Sequence, residues 1–141
     1  MRKIVLLLAF AGLCSALCAQ SEETGVRFQE RTTLKKLMEQ SAETGKPIFI
    51  DMYTTWCPPC KAMDQKIFSL KDAGAYFNER FINAKFDAEG RGAGIAQRYG
   101  VTGYPTFLIL DSSGNEIGRV VGAILRLDIF IENIENAMKK E

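Results

Sequence analysis

Two cysteines separated by two prolines, in the run Trp56-Cys57-Pro58-Pro59-Cys60-Lys61, constrain this chain more than any other feature. A proline ring fixes φ at about −65° and removes the amide hydrogen, so a central strand cannot run through Pro58 and Pro59. The first turn of a helix, whose amides have no intrahelical partner, accepts both. The apolar run Ile48-Phe49-Ile50-Asp51-Met52-Tyr53 before them reads as a strand covered on both faces. Ala62, Met63, Ile67 and Phe68 after them supply the buried side of a helix. The thiols therefore stand where a central strand gives way to a helix N-terminus.

A thiol at that position faces unpaired amides and the positive end of the helix dipole, which favour thiolate over thiol. Cys57 is the expected nucleophile. Cys60, one turn further on, is placed to attack the mixed disulfide formed at Cys57 and to release the partner's thiol. Three other readings stay open at this point. A zinc site needs about four ligands, which this chain is poorly equipped to supply. A two-thiolate copper(I) site is chemically allowed but leaves Trp56 and the prolines without a role. A purely structural bridge across so short a loop removes little unfolded-state entropy.

Composition sharpens the choice. The chain contains no histidine, which excludes Ser-His and Cys-His catalysis, His-containing zinc sites and any imidazole switch. A formal charge of +1 gives no electrostatic reason to expect nucleic acid or an anionic membrane surface as partner. The N-terminus carries Arg2 and Lys3, then the apolar run Ile4 to Leu13, then Cys14-Ser15-Ala16-Leu17-Cys18-Ala19. This reads as a secretory signal peptide over residues 1–19, cut after Ala19 or, alternatively, after Cys18. An uncleaved anchor is the competing reading, although the apolar stretch is shorter than the about 20 residues needed to span a bilayer. Cleavage removes Cys14 and Cys18 and leaves Cys57 and Cys60, too few thiols for a disulfide framework.

Residues 20–31 are polar and aperiodic and read as a flexible lead; the domain is expected to occupy 32–141. Leu34, Leu37, Met38 and Ala42 mark one face of a helix that Gly45 and Pro47 stop. Asp72 to Arg80 reads as a helix and Phe81 to Asp87 as a strand. The glycine-rich Gly90-Arg91-Gly92-Ala93-Gly94 has neither the dinucleotide nor the P-loop pattern, and leads into a short helix with Ile95, Ala96 and Tyr99. Pro105 to Leu110 and Glu116 to Val121 read as a hairpin across Asp111-Ser112-Ser113-Gly114-Asn115. Leu127, Phe130, Ile131, Ile134 and Met138 form the stripe of a terminal helix. The order predicts an α/β fold with helices on both faces of one sheet.

Asp51 to Lys61, followed by Tyr99-Gly100-Val101-Thr102-Gly103-Tyr104-Pro105-Thr106, resembles the thioredoxin superfamily. Within it, Gly45-Lys46-Pro47 to Phe68 and Asn78-Glu79-Arg80-Phe81 look most like periplasmic thioredoxin-like proteins related to the C-terminal domain of the interchange protein DsbD. The resemblance implies a thioredoxin fold with a mixed sheet of about four strands. It implies that Cys57 attacks and Cys60 resolves, and that Asp51 is the buried acid assisting proton transfer at Cys60. It implies that Pro105 is a cis proline beside the disulfide, with Tyr104 and Thr106 offering backbone groups to an extended substrate and Trp56 covering the dithiol. Lys85 stands where it could tune Asp51. Two plainer readings remain: Asp51 as a satisfied acid at the strand end, and Lys85 as a solvated lysine. The activity so implied is that of a periplasmic thiol:disulfide oxidoreductase, chiefly a reductase, acting on protein thiols and disulfides and fed by a membrane electron-donor protein. It implies a monomer with no cofactor, metal or nucleic acid. The alternatives are an oxidant or isomerase, or a non-catalytic peptide-binding or chaperone module.

Overall fold

The computed structural model describes residues 25–139; the signal-like segment 1–19 and the first part of the lead lie outside the described residues. Helix α1 spans Leu34–Thr44, capped by Thr33, whose side chain accepts from Lys36 N, and ended by Gly45 at φ 72°. Strand β1 spans Ile48–Tyr53 and α2 spans Pro58–Met63. Then come α3 (Lys71–Arg80), β2 (Ile82–Asp87) and α4 (Ala93–Arg98). Strands β3 (Thr106–Leu110) and β4 (Glu116–Val121) and helix α5 (Leu127–Met138) complete the domain.

The sheet order is β2-β1-β3-β4, with β1 parallel to β2 and antiparallel to β3, and β3 antiparallel to β4. It is the expected mixed four-stranded thioredoxin sheet. Because side chains alternate along a strand, β1 divides its residues between two cores. Ile48, Ile50 and Met52 face a cluster with Leu37 of α1 and Ile95 and Ala96 of α4. Phe49 faces the other, with Met63, Ile67, Phe77, Phe107 and Phe130. Asp51 shares the Phe49 face, the one that α2 covers.

Phe49 is the hub of that second core, with ring centroids 4.7 Å from Phe77, 5.8 Å from Phe107 and 6.4 Å from Phe130. Each fully buried phenylalanine contributes about 1.5–3 kcal/mol by burial, and well-placed ring pairs add about 0.5–1.5 kcal/mol. The strand bearing the acid and leading to the thiols is thereby anchored from both sides.

Two sequence expectations change. The apolar spacing predicts a helix after the prolines that continues unbroken to Phe68; instead α2 ends at Met63 and a π-turn follows over Asp64–Phe68, with Ser69 N donating to Asp64 O. Such a wider turn shifts the phase of the residues after it, and these turns recur at functional sites. The lead, expected to be flexible over 20–31, is packed on the domain from residue 25. Val26 N donates to Phe68 O at 2.7 Å, and Gln29 bridges Ala84 of β2 as a short parallel partner. Asn78 of α3 accepts from Arg27 N and donates to Gly25 O. The Phe28 ring stands edge-on to Phe68 at 5.0 Å. A polar segment without periodicity is held by another element's side chain and by close backbone approach: a Cβ at Gly74 would lie 2.4 Å from Gly25 O.

Candidate active site

β1 ends at Tyr53, and the chain crosses Thr54 to Trp56 before α2 begins. Cys57 is the N-cap of α2, with Pro58 and Pro59 at its first two positions. Its sulfur accepts the Cys60 amide at 3.2 Å, and Cys57 O accepts Lys61 N. Cys57 and Cys60 are joined by a disulfide and both are 2% exposed. Trp56 is 60% exposed; its indole Nε1 donates to Glu89 Oε2 at 2.8 Å, and its ring meets Tyr104 edge-on at 6.3 Å.

The Tyr104–Pro105 peptide is cis, in agreement with the resemblance. Pro105 O accepts Gly122 N, which ties the proline loop to the end of β4. Tyr104 is half-buried, with its side chain toward Trp56. Thr106 lies within the sheet. It is 1% exposed, its hydroxyl donates to Gly103 O at 2.7 Å, and it pairs with both Met52 and Val121 inside the sheet. Paired on both sides, it is part of the sheet directly behind Pro105.

Asp51 is 1% exposed, and neither carboxylate oxygen has a hydrogen-bond donor among the described residues. Lys85, opposite it in the parallel register of β1 and β2, brings Nζ to 3.3 Å from Asp51 Oδ2, an ion pair by distance without hydrogen-bond alignment. The same ammonium is held by Asp64, the first residue of the π-turn, which is 43% exposed. Tyr53 and Phe28 place their rings 4.8 and 5.8 Å from Lys85 Nζ. Burial raises the Asp51 pKa to about 6, against the opposing pull of Lys85 and with the help of the Asp64 charge. Burial also disfavours the Lys85 ammonium, but the Asp51 charge and the Asp64 contact outweigh it, so its pKa is raised. Asp51 is thus buried and not at the surface, and the Lys85 ammonium is largely enclosed and not solvated.

Two participants were missed in the sequence. Asp64 reads there as one more polar residue after the cysteine pair, and only the phase of the π-turn brings it to Lys85. Glu89 sits in a polar connection, and its contact with Trp56 spans 33 residues.

The arrangement sets a disulfide at a helix start and a buried carboxylate on the adjoining strand, beside an exposed aromatic and a cis-proline loop. The thioredoxin-like domain family matches residues 34–137. Thioredoxin of Echinococcus granulosus is 40% identical over 86 residues, 61% of this chain and 75% of that protein. Thiol:disulfide interchange protein DsbD of Yersinia pestis is 32% identical over 116 residues, 79% of this chain but 19% of DsbD. The chain likewise spans 41% of the chloroplastic thioredoxin-like protein HCF164 of Arabidopsis thaliana, at 28% identity over 78% of its own length. A solved disulphide-isomerase candidate from Bacteroides thetaiotaomicron superposes with a TM-score of 0.73 at 33% identity, covering 84% of this chain and 97% of that one. The family match over most of the chain, together with the Cys57–Cys60 disulfide at the head of α2, shows that this protein belongs to the thioredoxin-like thiol:disulfide oxidoreductases.

Proposed function

We propose that the protein is an extracytoplasmic, periplasmic reductase of protein disulfides, re-reduced by a membrane electron donor. The Cys57 thiolate attacks one sulfur of a client disulfide, forming a mixed disulfide and releasing one client thiolate. Asp51 takes the proton of Cys60, whose thiolate attacks Cys57 Sγ, releases the second client thiolate and closes the Cys57–Cys60 disulfide. Two electrons pass from the dithiol to the client, and the donor returns two. Asp51 suits this task because a base with a pKa of about 6 is largely ionised at neutral pH yet still holds a proton well.

The observation that carries the direction is the pair of prolines at the first two positions of α2. In most helices the second of those positions offers an amide donor to the N-cap side chain. Here the Cys60 amide is the donor on Cys57 Sγ. Fewer donors stabilise the thiolate less, so the reduced form lies higher and gives up electrons more readily; oxidants of this chemistry stabilise their reduced form. The compartment rests on the signal-like start of the sequence and the similarity to DsbD.

The test is the reduction potential of the Cys57/Cys60 pair by equilibration with glutathione. The expected value lies near thioredoxin's, about −270 mV, and a value near about −120 mV refutes the reductase reading in favour of an oxidant. Insulin reduction by the dithiol form, abolished in Cys57→Ser, separates the enzyme from a peptide-binding module with incidental cysteines.

A further inference from the structure

Away from the dithiol, on the side of the sheet covered by α1 and α4, lies a surface cavity of about 490 Å³. Its floor is apolar, from Leu34, Phe86 and Ile95, and its rim carries Arg91 and Arg98. No carboxylate lines it. Arg91 has no ion pair or hydrogen bond among the described residues, and Arg98 lies over the ring of its neighbour Tyr99 at 5.4 Å, also without a carboxylate partner. Two guanidinium groups without a carboxylate partner thus stand at one cavity.

The N-terminus of α1 opens onto the same space through Thr33 and Leu34. Thr33 satisfies Lys36 N with its hydroxyl and Leu37 N with its carbonyl, which leaves the Leu34 and Lys35 amides without a partner among the described residues. Independently, Thr32 lines the cavity while only 7% exposed, and its hydroxyl has no hydrogen-bond partner among the described residues. A buried hydroxyl without a partner costs about 1–3 kcal/mol, a penalty that a ligand in the cavity would relieve. Free amides at a helix start, a free hydroxyl and two arginine forks are the donor set of an oxyanion site, and the apolar floor adds room for a carrier.

We infer that this cavity is a second site, separate from the Cys57–Cys60 disulfide, that binds an oxyanion carried on an apolar group, with the anion held by Arg91, Arg98 and the start of α1. Phenyl phosphate has this chemistry and serves as the probe. In a titration of the ¹⁵N-labelled protein, saturable shifts are expected at the amides of Leu34, Lys35, Gly94 and Ile95. Phenyl phosphate should bind roughly tenfold more tightly than inorganic phosphate, since the ring buries apolar area. Benzyl alcohol, which has the ring without the charge, should leave those amides unmoved. Arg91→Ala with Arg98→Ala should weaken binding by roughly tenfold or more. Both side chains are exposed, so the variant is expected to fold and to reduce insulin at the wild-type rate. Gly94→Leu gives a second variant: a Cβ there meets nothing within 4 Å, so the longer side chain can fill the cavity and abolish binding while both arginines remain. Shifts spread over surface lysines, equal effects of benzyl alcohol, or binding undiminished in both variants would overturn the site.

Discussion

Replacing Asp51 by Asn should remove a specific part of the protein's pH-dependent stability, and its size follows from the burial of the carboxylate. In the unfolded chain an aspartate has a pKa of 3.8, and in the fold Asp51 is raised to about 6. Below pH 3.8 the group is protonated in both states and the native protein carries no buried charge at this position. As pH rises from there through 6, the unfolded chain loses its proton first, the native state binds more protons than the unfolded one, and stability falls. A shift of this size corresponds to about 3 kcal/mol, fully lost above about pH 6. Asp51→Asn lacks the titration, so the two proteins should be nearly equal at about pH 4 and the variant more stable by up to about 3 kcal/mol at about pH 7 to 8. Lys85 does not disturb the comparison at low pH, where the neutral carboxyl of Asp51 and the carboxamide that replaces it present the ammonium with similar surroundings. Urea unfolding of both oxidised proteins from about pH 4 to 8 measures the difference, from which all other carboxylates cancel. Parallel curves would refute the argument, because they would mean that Asp51 ionises in the fold as it does in water. Lys85→Met extends the test: removing the ammonium that lowers the Asp51 pKa should push the transition to higher pH.

Three further outcomes are expected. Cys60→Ser should accumulate mixed disulfides with client proteins on non-reducing gels, whereas Cys57→Ser should not; the reverse pattern would exchange the two roles. Pro59→Ala restores one amide donor near Cys57 Sγ and should make the potential less negative by about 30 mV, the equivalent of about 1.4 kcal/mol of thiolate stabilisation; glutathione equilibration reads it directly. Gly74→Ala drives a methyl group to within 2.4 Å of Gly25 O and should cost about 1–3 kcal/mol in urea unfolding while exposing residues 25–31 to proteolysis.

The parts of this protein legible in the sequence are those governed by one local rule. An apolar run with proline beyond it bounds β1 correctly, and a stripe at helical spacing does the same for α5. The cysteine pair announces itself through prolines that only a helix start accommodates. What escaped depends on which elements become neighbours. Lys85 can be named from the sequence as a residue able to approach Asp51, but the pairing becomes definite only when β2 lies parallel to β1 with these two residues in register. Asp64 escaped because an α-helical projection gives a π-turn residue the wrong direction. The packing of 25–31 escaped because its partners are a side-chain amide on α3 and a backbone carbonyl, neither of which leaves a hydrophobic pattern in the lead.

The absence of histidine gives this buried charge group its significance. A thiol enzyme working near neutrality needs a proton acceptor with a pKa between that of a free carboxylate and that of a free thiol, the range imidazole occupies by default. Here two carboxylates and one ammonium are assembled instead. With Asp51 ionised the three carry a net negative charge, and with Asp51 protonated they are neutral, so taking a proton from Cys60, the role proposed for Asp51, would relieve an excess negative charge in a region with little water. Lys85 restrains the effect, since without it burial would hold Asp51 protonated to well above a pH of about 6. Asp64 opposes that restraint by sharing the ammonium and adding its own charge. The acid's operating range is therefore set by how one lysine divides itself between a buried carboxylate and a half-exposed one. Asp64→Asn should accordingly lower the Asp51 pKa and move the pH midpoint of resolution downward, whereas a purely structural Asp64 would change stability and leave that midpoint in place.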